Sequence, residues 1–220
     1  MILRIHEIFQ SVDGEINPFH QGCISTFIRT SNCNLQCAYC DTEYARNSIP
    51  TDRVFYYPTE IETFFKAHIL RLKSPKITIT GGEPLLWEKG VNQLIELCIK
   101  NDMGVTIETN GSILPAKLYK HPLVSYIVDY KLPSSGMESH MSKKLFTKLS
   151  KNDIIKFVMG DYKDFLRFLA VFKQLNTKAQ ISVSPIYQTL DPKLLISWML
   201  KHQVLTPVVN IQIHKFMKVK

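Results

Sequence analysis

Cys33, Cys37 and Cys40 fall in one short run, Cys33-Asn34-Leu35-Gln36-Cys37-Ala38-Tyr39-Cys40. A four-iron, four-sulfur cluster normally takes four cysteine ligands, so three thiolates on one loop leave one iron free for a ligand that is not protein. An open iron is where chemistry can occur. A zinc reading needs four Cys or His ligands in two short pairs, and the next candidate after Cys40 is His68, which has no paired ligand beside it. Zinc is the poorer match on ligand count. A disulfide framework fits no better, because three cysteines this close cannot pair off and the chain opens with no apolar signal segment. Cys23 and Cys98 read as buried or incidental thiols.

A second motif follows the strand pattern Lys76-Ile77-Thr78-Ile79-Thr80, which runs straight into Gly81-Gly82-Glu83-Pro84. Paired glycines let backbone approach a ligand where a Cβ would clash, and Glu83 offers an acceptor to a cationic group such as an ammonium. Alone this is a plain tight turn. Placed one strand-helix unit after the cysteine loop, it reads as a second wall of the same site.

The elements that must position these groups alternate along the chain. Strand-like segments fall at about 2–9, 24–30, 76–80, 104–109, 124–129, 153–159, 179–184 and 208–213. Between several of them lie helical patterns. Thr59 to Leu72 opens with the capping-box spacing Thr59-Glu60-Ile61-Glu62 and puts Ile61, Phe64, Phe65, Ile69 and Leu72 on one side. Further helices fit 88–101, 161–175 and 191–203, the last with Asp191 as N-cap and Pro192 in the first helical position. Strands alternating with helices predict an α/β fold with a mostly parallel sheet. Eight full strand-helix units would be cramped in 220 residues, so the expectation is an incomplete TIM-type β/α barrel, with 1–220 as one domain. Active residues then gather at the C-terminal ends of the strands.

Composition narrows the class. The chain is 45% hydrophobic, and no apolar run reaches membrane-spanning length. Lys and Arg outnumber Asp and Glu by 27 to 19, giving +8. The lysines are scattered from Lys66 to Lys220, so the charge suits solubility or an anionic substrate better than a nucleic-acid footprint. Five cysteines without a secretory signal point to a reducing cytoplasm.

The cysteine spacing resembles that of S-adenosylmethionine (SAM) radical enzymes, and the rest of the chain resembles one family of them, the 7-carboxy-7-deazaguanine synthases of queuosine and deazapurine biosynthesis. The resemblance runs nearly end to end. It is carried by Glu7-Ile8-Phe9-Gln10-Ser11-Val12-Asp13-Gly14-Glu15, Phe27-Ile28-Arg29, the cluster loop with Asp41-Thr42, and Thr80-Gly81-Gly82-Glu83-Pro84. Glu108-Thr109-Asn110-Gly111, Asp129 to Gly136, Ile155-Lys156-Phe157-Val158 and Gln212-Ile213-His214-Lys215 continue it in family order. It implies a 4Fe–4S cluster, SAM and Mg²⁺ as cofactors, a homodimer, and an outside reductant such as flavodoxin or ferredoxin. The implied reaction contracts 6-carboxy-5,6,7,8-tetrahydropterin to 7-carboxy-7-deazaguanine with loss of ammonia, started by a 5′-deoxyadenosyl radical.

Carried over by position, the resemblance gives the cluster to Cys33, Cys37 and Cys40, and Mg²⁺ to Thr42, whose plain alternative is a loop cap. SAM is expected against Tyr39, Cys40 and Asp41, Gly82 and Glu83, Asp129, Tyr130 and Lys131, and Ser184, Pro185, Ile186 and Tyr187. Lys131 and Tyr187 fit a surface ion pair and a core aromatic equally well. The pterin is expected at Val12, Asp13 and Gly14, Arg29 and Thr80. A guanidinium matches a carboxylate bidentately, although an Arg on the solvated face of a strand is the bland alternative.

Four departures from the family pattern stand out. Asp13 replaces a usual glutamine, and an ionised carboxylate only accepts hydrogen bonds where an amide also donates. Ile16 replaces a glycine, and Ser31-Asn32 replaces the glycine expected before the first cysteine. The chain ends Phe216-Met217-Lys218-Val219-Lys220, where some relatives end in a proline near the substrate. Two other readings are compatible with the motifs: a radical SAM activase or modifying enzyme acting on another substrate, and a noncatalytic metal-binding module on nucleic acid.

Overall fold

Polar and apolar residues alternate along most of the strands, and the fold buries both sets. The computed structural model describes residues 3–46, 55–56 and 60–220. In chain order the elements are β1 (Leu3–Val12), β2 (Ile24–Thr30), α1 (Glu43–Arg46), β3 (Phe55–Tyr56), α2 (Ile61–Phe64), β4 (Lys76–Gly81), α3 (Glu88–Lys100), β5 (Gly104–Thr109) and β6 (Val124–Lys131). They continue with α4 (Lys143–Lys148), β7 (Ile154–Met159), α5 (Tyr162–Phe172), β8 (Gln180–Pro185), α6 (Pro192–Lys201), β9 (Val208–Val209) and α7 (Ile213–Met217).

The sheet order is β3-β1-β2-β4-β5-β6-β7-β8-β9. β1 runs antiparallel to its neighbours, and every pairing from β2 to β9 is parallel. This is a partial β/α barrel whose sheet does not close on itself. One face of the strands carries Ile77, Ile79, Val105, Ile107, Val128, Ile155, Phe157 and Val183, all fully buried. Helices α3 and α5 supply the opposing apolar layer with Val91, Leu94, Ile95, Phe165 and Phe168. The other face lines the barrel interior with Ser25, Thr78, Thr106, Ser125, Lys156 and Ser182, also buried. Because side chains alternate with period two, the same strands serve an apolar core and a polar interior.

The opening between the first and last strands is filled by two irregular segments. The β1–β2 connection meets the chain after β9 through Asn210, whose Oδ1 accepts the Ile16 N–H at 3.1 Å and whose Nδ2 donates to Glu15 Oε2 at 2.6 Å. Gln21 Nε2 donates to Gly14 O, Asn210 Oδ1 and Ile211 O. Gly14 is required here by contact, since a Cβ would lie 1.9 Å from His214 Nδ1.

Two sequence expectations change. The 59–72 helix is not one α-helix: α2 gives way to a wider π turn over Phe65–Ile69 and a tight turn over Leu70–Leu72. The wide turn alters the angular spacing, so Ile61, Phe64, Phe65 and Ile69 are buried while Leu72 turns outward. Thr59, the expected cap, lies outside the described residues. The expected strand at 208–213 is only Val208–Val209, because Asn210 and Gln212 turn away to bond Glu15 and Ile213 begins α7. The cap at α6 is as read, with Asp191 Oδ1 accepting the Lys193 N–H at 2.8 Å.

Asn210→Ala should lower stability by about 2–3 kcal/mol, because it leaves the Ile16 N–H and one Glu15 oxygen buried without a partner. Urea unfolding measures this, and an unchanged midpoint would show that the segments do not seal the barrel.

Candidate active site

The C-terminal ends of the strands surround a cavity of about 490 Å³, within the usual size of a small-molecule site. The cysteine loop forms one wall. Its entrance is fixed by backbone: Gly82 N–H donates to Thr30 O at 3.0 Å, Glu83 N–H to Asn32 O at 2.7 Å, and Asn32 N–H to Ala45 O at 2.8 Å. A Cβ on Gly82 would lie 1.9 Å from Asn32 O, so the second glycine of the motif is needed for the strand end to touch the loop. Beyond it, Asn34 is held by Asn110 at 3.0 Å and Ser112 at 2.8 Å.

All three loop cysteines line the cavity. Cys33 Sγ accepts the Leu35 N–H at 3.4 Å and Asn110 Nδ2 at 3.5 Å, an arrangement that favours a thiolate. Burial pushes the Cys33 and Cys37 thiols above their usual range, so ligation must displace their protons. Among the described residues no three His, Cys, Asp or Glu side chains close around one point as ligands of a single ion. Thiols around a cubic cluster each take a different iron, so the donor set fits that group.

Most of the remaining sequence candidates share this cavity. Tyr39, Asp41 and Thr42 line it from the loop, Thr80 and Gly82 from β4 and its turn, Asp129 and Lys131 from β6, and Ile186 and Tyr187 after β8. Val12, Asp13, Gly14 and Arg29 line it from β1, its following loop and β2. Arg29 Nε donates to Glu7 Oε1 at 2.8 Å, which fixes the guanidinium and leaves its two outer nitrogens as the fork. Glu7 also accepts from Tyr44 OH at 3.1 Å and pairs with Lys220. Burial opposes its ionisation, but Lys220 and Arg29 outweigh it and hold the carboxyl below the ordinary range.

Four candidates sit elsewhere. Glu83 is fully buried, with Oε1 accepting from Leu85 N–H at 2.9 Å and Thr109 OH at 2.7 Å, and Oε2 from Asn110 N–H at 2.7 Å. The sequence reading gives this carboxylate to a ligand ammonium; in the fold it ties the β4 turn to the end of β5. Burial raises its pKa to about 6. Tyr130 points to the opposite face of β6, stacked at 5.0 Å on Phe157, as the period of a strand requires. Ser184 Oγ donates to Asn210 O at 2.9 Å. Pro185 lines a neighbouring recess with Tyr187 and Phe216.

Asp13 lines the cavity with its carboxylate already engaged inside the protein. Its carboxylate has no exposed surface; Oδ2 accepts from Lys76 Nζ at 2.5 Å and Thr78 OH at 2.9 Å. The Asp13 charge is therefore matched by a buried lysine at the start of β4 and satisfied within the protein.

The cavity residues Glu15, Lys156, Glu108 and Lys215 carry no role in the sequence reading, whereas Asp129 and Lys131 are expected SAM contacts. Glu15, Lys156, Asp129 and Lys131 form a buried chain of charges: Lys156 Nζ lies 3.1 Å from both Glu15 Oε1 and Asp129 Oδ1, and Lys131 Nζ 2.6 Å from Asp129 Oδ2. Register produces it, since Asp129 and Lys156 are directly paired on β6 and β7. Burial opposes both ammonium charges, yet the adjacent carboxylates outweigh it and hold Lys131 and Lys156 above their usual range. Glu108 faces the cavity from β5, and burial followed by the nearby Asp13 and Glu15 charges lifts its pKa to about 7. Lys215 Nζ pairs with Asp41 at 2.7 Å, joining α7 to the cysteine loop. A lone charge inside an apolar strand, as at Glu108 and Lys156, was the available signal.

The model of the radical SAM superfamily matches residues 27–187. The 7-carboxy-7-deazaguanine synthase of Clostridium acetobutylicum is 35% identical over 218 residues, covering 98% of this chain and 96% of its own. That of Methanospirillum hungatei is 35% identical over 218 residues, covering 97% and 85%, and that of Chlorobaculum tepidum 32% over 225 residues, covering 97% and 93%. The crystal structure of QueE from Escherichia coli shares the fold, with a TM-score of 0.73 at 21% identity over 96% of this chain and 94% of that one.

Asp13→Gln should cost about 3–5 kcal/mol, because it leaves the Lys76 ammonium buried opposite a neutral amide. Adding Lys76→Met should return most of that loss in urea unfolding; equal instability of the single and double variants would refute the pairing. Glu108 contributes a second test through pH. Its carboxyl is neutral in both states well below the ordinary value of 4.5, and ionises more readily in the unfolded chain above it. Its contribution to stability is therefore present at low pH and lost as pH rises through about 7. Glu108→Gln should flatten the decline in unfolding midpoint between about pH 5 and 8; identical profiles would mean the group titrates normally.

Proposed function

The chain belongs to the radical SAM superfamily and, within it, to the 7-carboxy-7-deazaguanine synthase family, and we propose that this cavity is where its ring contraction takes place. The enzyme is a radical SAM lyase that uses a 4Fe–4S cluster and SAM and acts on a small molecule. The proposed substrate is 6-carboxy-5,6,7,8-tetrahydropterin and the product 7-carboxy-7-deazaguanine, with ammonia lost. The observation that carries the reading is that Cys33, Cys37 and Cys40 line the same cavity as Arg29, Thr80 and Lys131. When bound, the cluster and SAM supply one electron and the 5′-deoxyadenosyl radical that takes hydrogen from the carbon bearing the substrate carboxylate.

The chain's own residues bind, orient and exclude water. Arg29, fixed at Nε by Glu7, holds its outer nitrogens for the carboxylate. Burial and the nearby carboxylates favour the protonated form of Glu108, which can donate as well as accept toward a heterocycle edge. Thr80 and the backbone of Val12, Asp13 and Gly14 complete the pterin side. Toward SAM, Lys131 presents an ammonium that Asp129 anchors at 2.6 Å, with Tyr39, Cys40, Asp41, Gly82, Ile186 and Tyr187 as the surrounding wall. Thr42 is the proposed Mg²⁺ ligand. It is a hard oxygen donor on the wall of the cavity that Arg29 also lines.

The reading treats residues 1–220 as one domain, supported by a core that runs from Leu3 to Met199. Among the described residues no helix is long and apolar enough to cross a membrane. We place the enzyme in the cytoplasm as a homodimer, with flavodoxin or ferredoxin as the reductant.

Anaerobic reconstitution should give about four iron and four sulfide per chain, and turnover with SAM, dithionite and the carboxypterin should give the deazaguanine by mass. Cys33→Ala should abolish 5′-deoxyadenosine formation; cleavage at the parent rate would overturn the cluster assignment. Arg29→Lys keeps charge but loses the fork, so pterin affinity should fall roughly tenfold to a hundredfold while SAM cleavage without pterin persists. Parent-like pterin binding would remove Arg29 from the substrate site.

A further inference from the structure

The outward skin of the cysteine loop is Asn34, Gln36 and Ala38, all exposed between the three thiols. This skin is the short path from solvent to the group those thiols hold. One side of the loop is walled by residues 133–142: Ala38 N–H donates to Ser135 O at 3.1 Å and Gln36 N–H to Met137 Sδ at 3.5 Å. Ser142 N–H donates to Gly111 O at 2.9 Å. The next residue, Ser112, bonds Asn34 in the loop at 2.8 Å. Ser142 is also the residue that begins α4, so this helix starts two hydrogen bonds away from the cysteine loop.

Helix α4 and the turn after it expose Lys143, Lys144, Lys148 and Lys151. The inner face of the same segment, Leu145, Phe146 and Leu149, is buried in the core. None of the four lysines has an ion-pair partner among the described residues. The one carboxylate on the intervening wall, Glu138, is neutralised by Arg167. A patch of unpaired positive charge thus borders the cluster loop on a protein that already carries +8.

We infer that Lys143, Lys144, Lys148 and Lys151 form the docking surface for a small acidic one-electron carrier that reduces the cluster. The inference rests on the radical SAM reading, which requires an electron from outside the chain. Opposite charge steers a transient encounter and orients it, and the position next to the loop brings the carrier's redox group toward the thiols. RNA is the competing polyanion. The stretch 137–151 exposes no Phe, Tyr or Trp on which bases could stack, since Phe146 is buried and His140 is its one exposed ring, and it spans one short helix, so the carrier is favoured.

The test uses the reconstituted holoenzyme and the rate of cluster reduction followed by stopped flow. The reductants are reduced flavodoxin, an acidic one-electron protein, and dithionite, which needs no docking. Lys143→Glu with Lys144→Glu should slow reduction by flavodoxin about tenfold at low ionic strength and weaken its salt dependence, with dithionite reduction unchanged. Lys173→Glu with Lys178→Glu makes the same charge change near the far end of α5 and should leave both rates at the parent value. The proposal is overturned if the Lys143/Lys144 variant is reduced by flavodoxin as fast as the parent, or if both variants slow equally. It is also overturned if the variant loses binding to a transfer RNA while its reduction by flavodoxin stays the same. A parent protein that assembles no cluster would overturn the radical SAM reading itself, a result separate from any of these.

Discussion

The buried chain of charges from Glu15 through Lys156 and Asp129 to Lys131 is the interaction on which the rest of the site depends. Burying four ionised groups is costly, and removing one partner leaves the others without compensation. They persist because each has at least one close opposite charge, and Glu15 has two further donors in Asn210 and Gln212. The chain joins the β1–β2 connection, two central strands and the segment after β9. It therefore fastens the opening of the barrel and the cavity wall with one set of bonds.

The same logic governs the cavity's other charges. Arg29 is tied to Glu7, Lys215 to Asp41 and Lys76 to Asp13. Few are left to pair freely with solvent ions, so the arginine fork is held in place before substrate arrives. A preorganised donor loses less freedom on binding than a mobile one. Phe9 and Phe27, stacked at 5.0 Å beside Arg29, give that end of the cavity an apolar floor.

The loop that carries the cysteines has little secondary structure of its own. Its shape comes from contacts with the ends of strands: Thr30 and Asn32 bond the Gly82-Glu83 turn, and Asn34 bonds Asn110 and Ser112. Glu83 holds the two strand ends together from beneath. Its carboxylate serves the site by fixing Asn110, which in turn donates toward Cys33 Sγ. The motif's acid is a positioning group, and its glycine is a contact surface.

The sequence by itself determined the strand-helix alternation, the parallel sheet, the cysteine loop and the strand end where the Gly-Gly-Glu-Pro turn lies, because these follow from short-range periodicity and spacing. It also marked Arg29 and Lys131 as charges at strand ends. Tertiary structure decided what each buried charge faces. Asp13 meets Lys76 across 63 positions, and Glu15 meets Asn210 across 195. No local pattern encodes such pairings, since they arise from strand register and from the way two irregular segments fill an open barrel. The inward side of Glu108 and Lys156 was legible as a lone charge in an apolar strand. Whether that side was a ligand cavity or a solvated edge depended on the curvature of the sheet, which brings distant strands around a common interior.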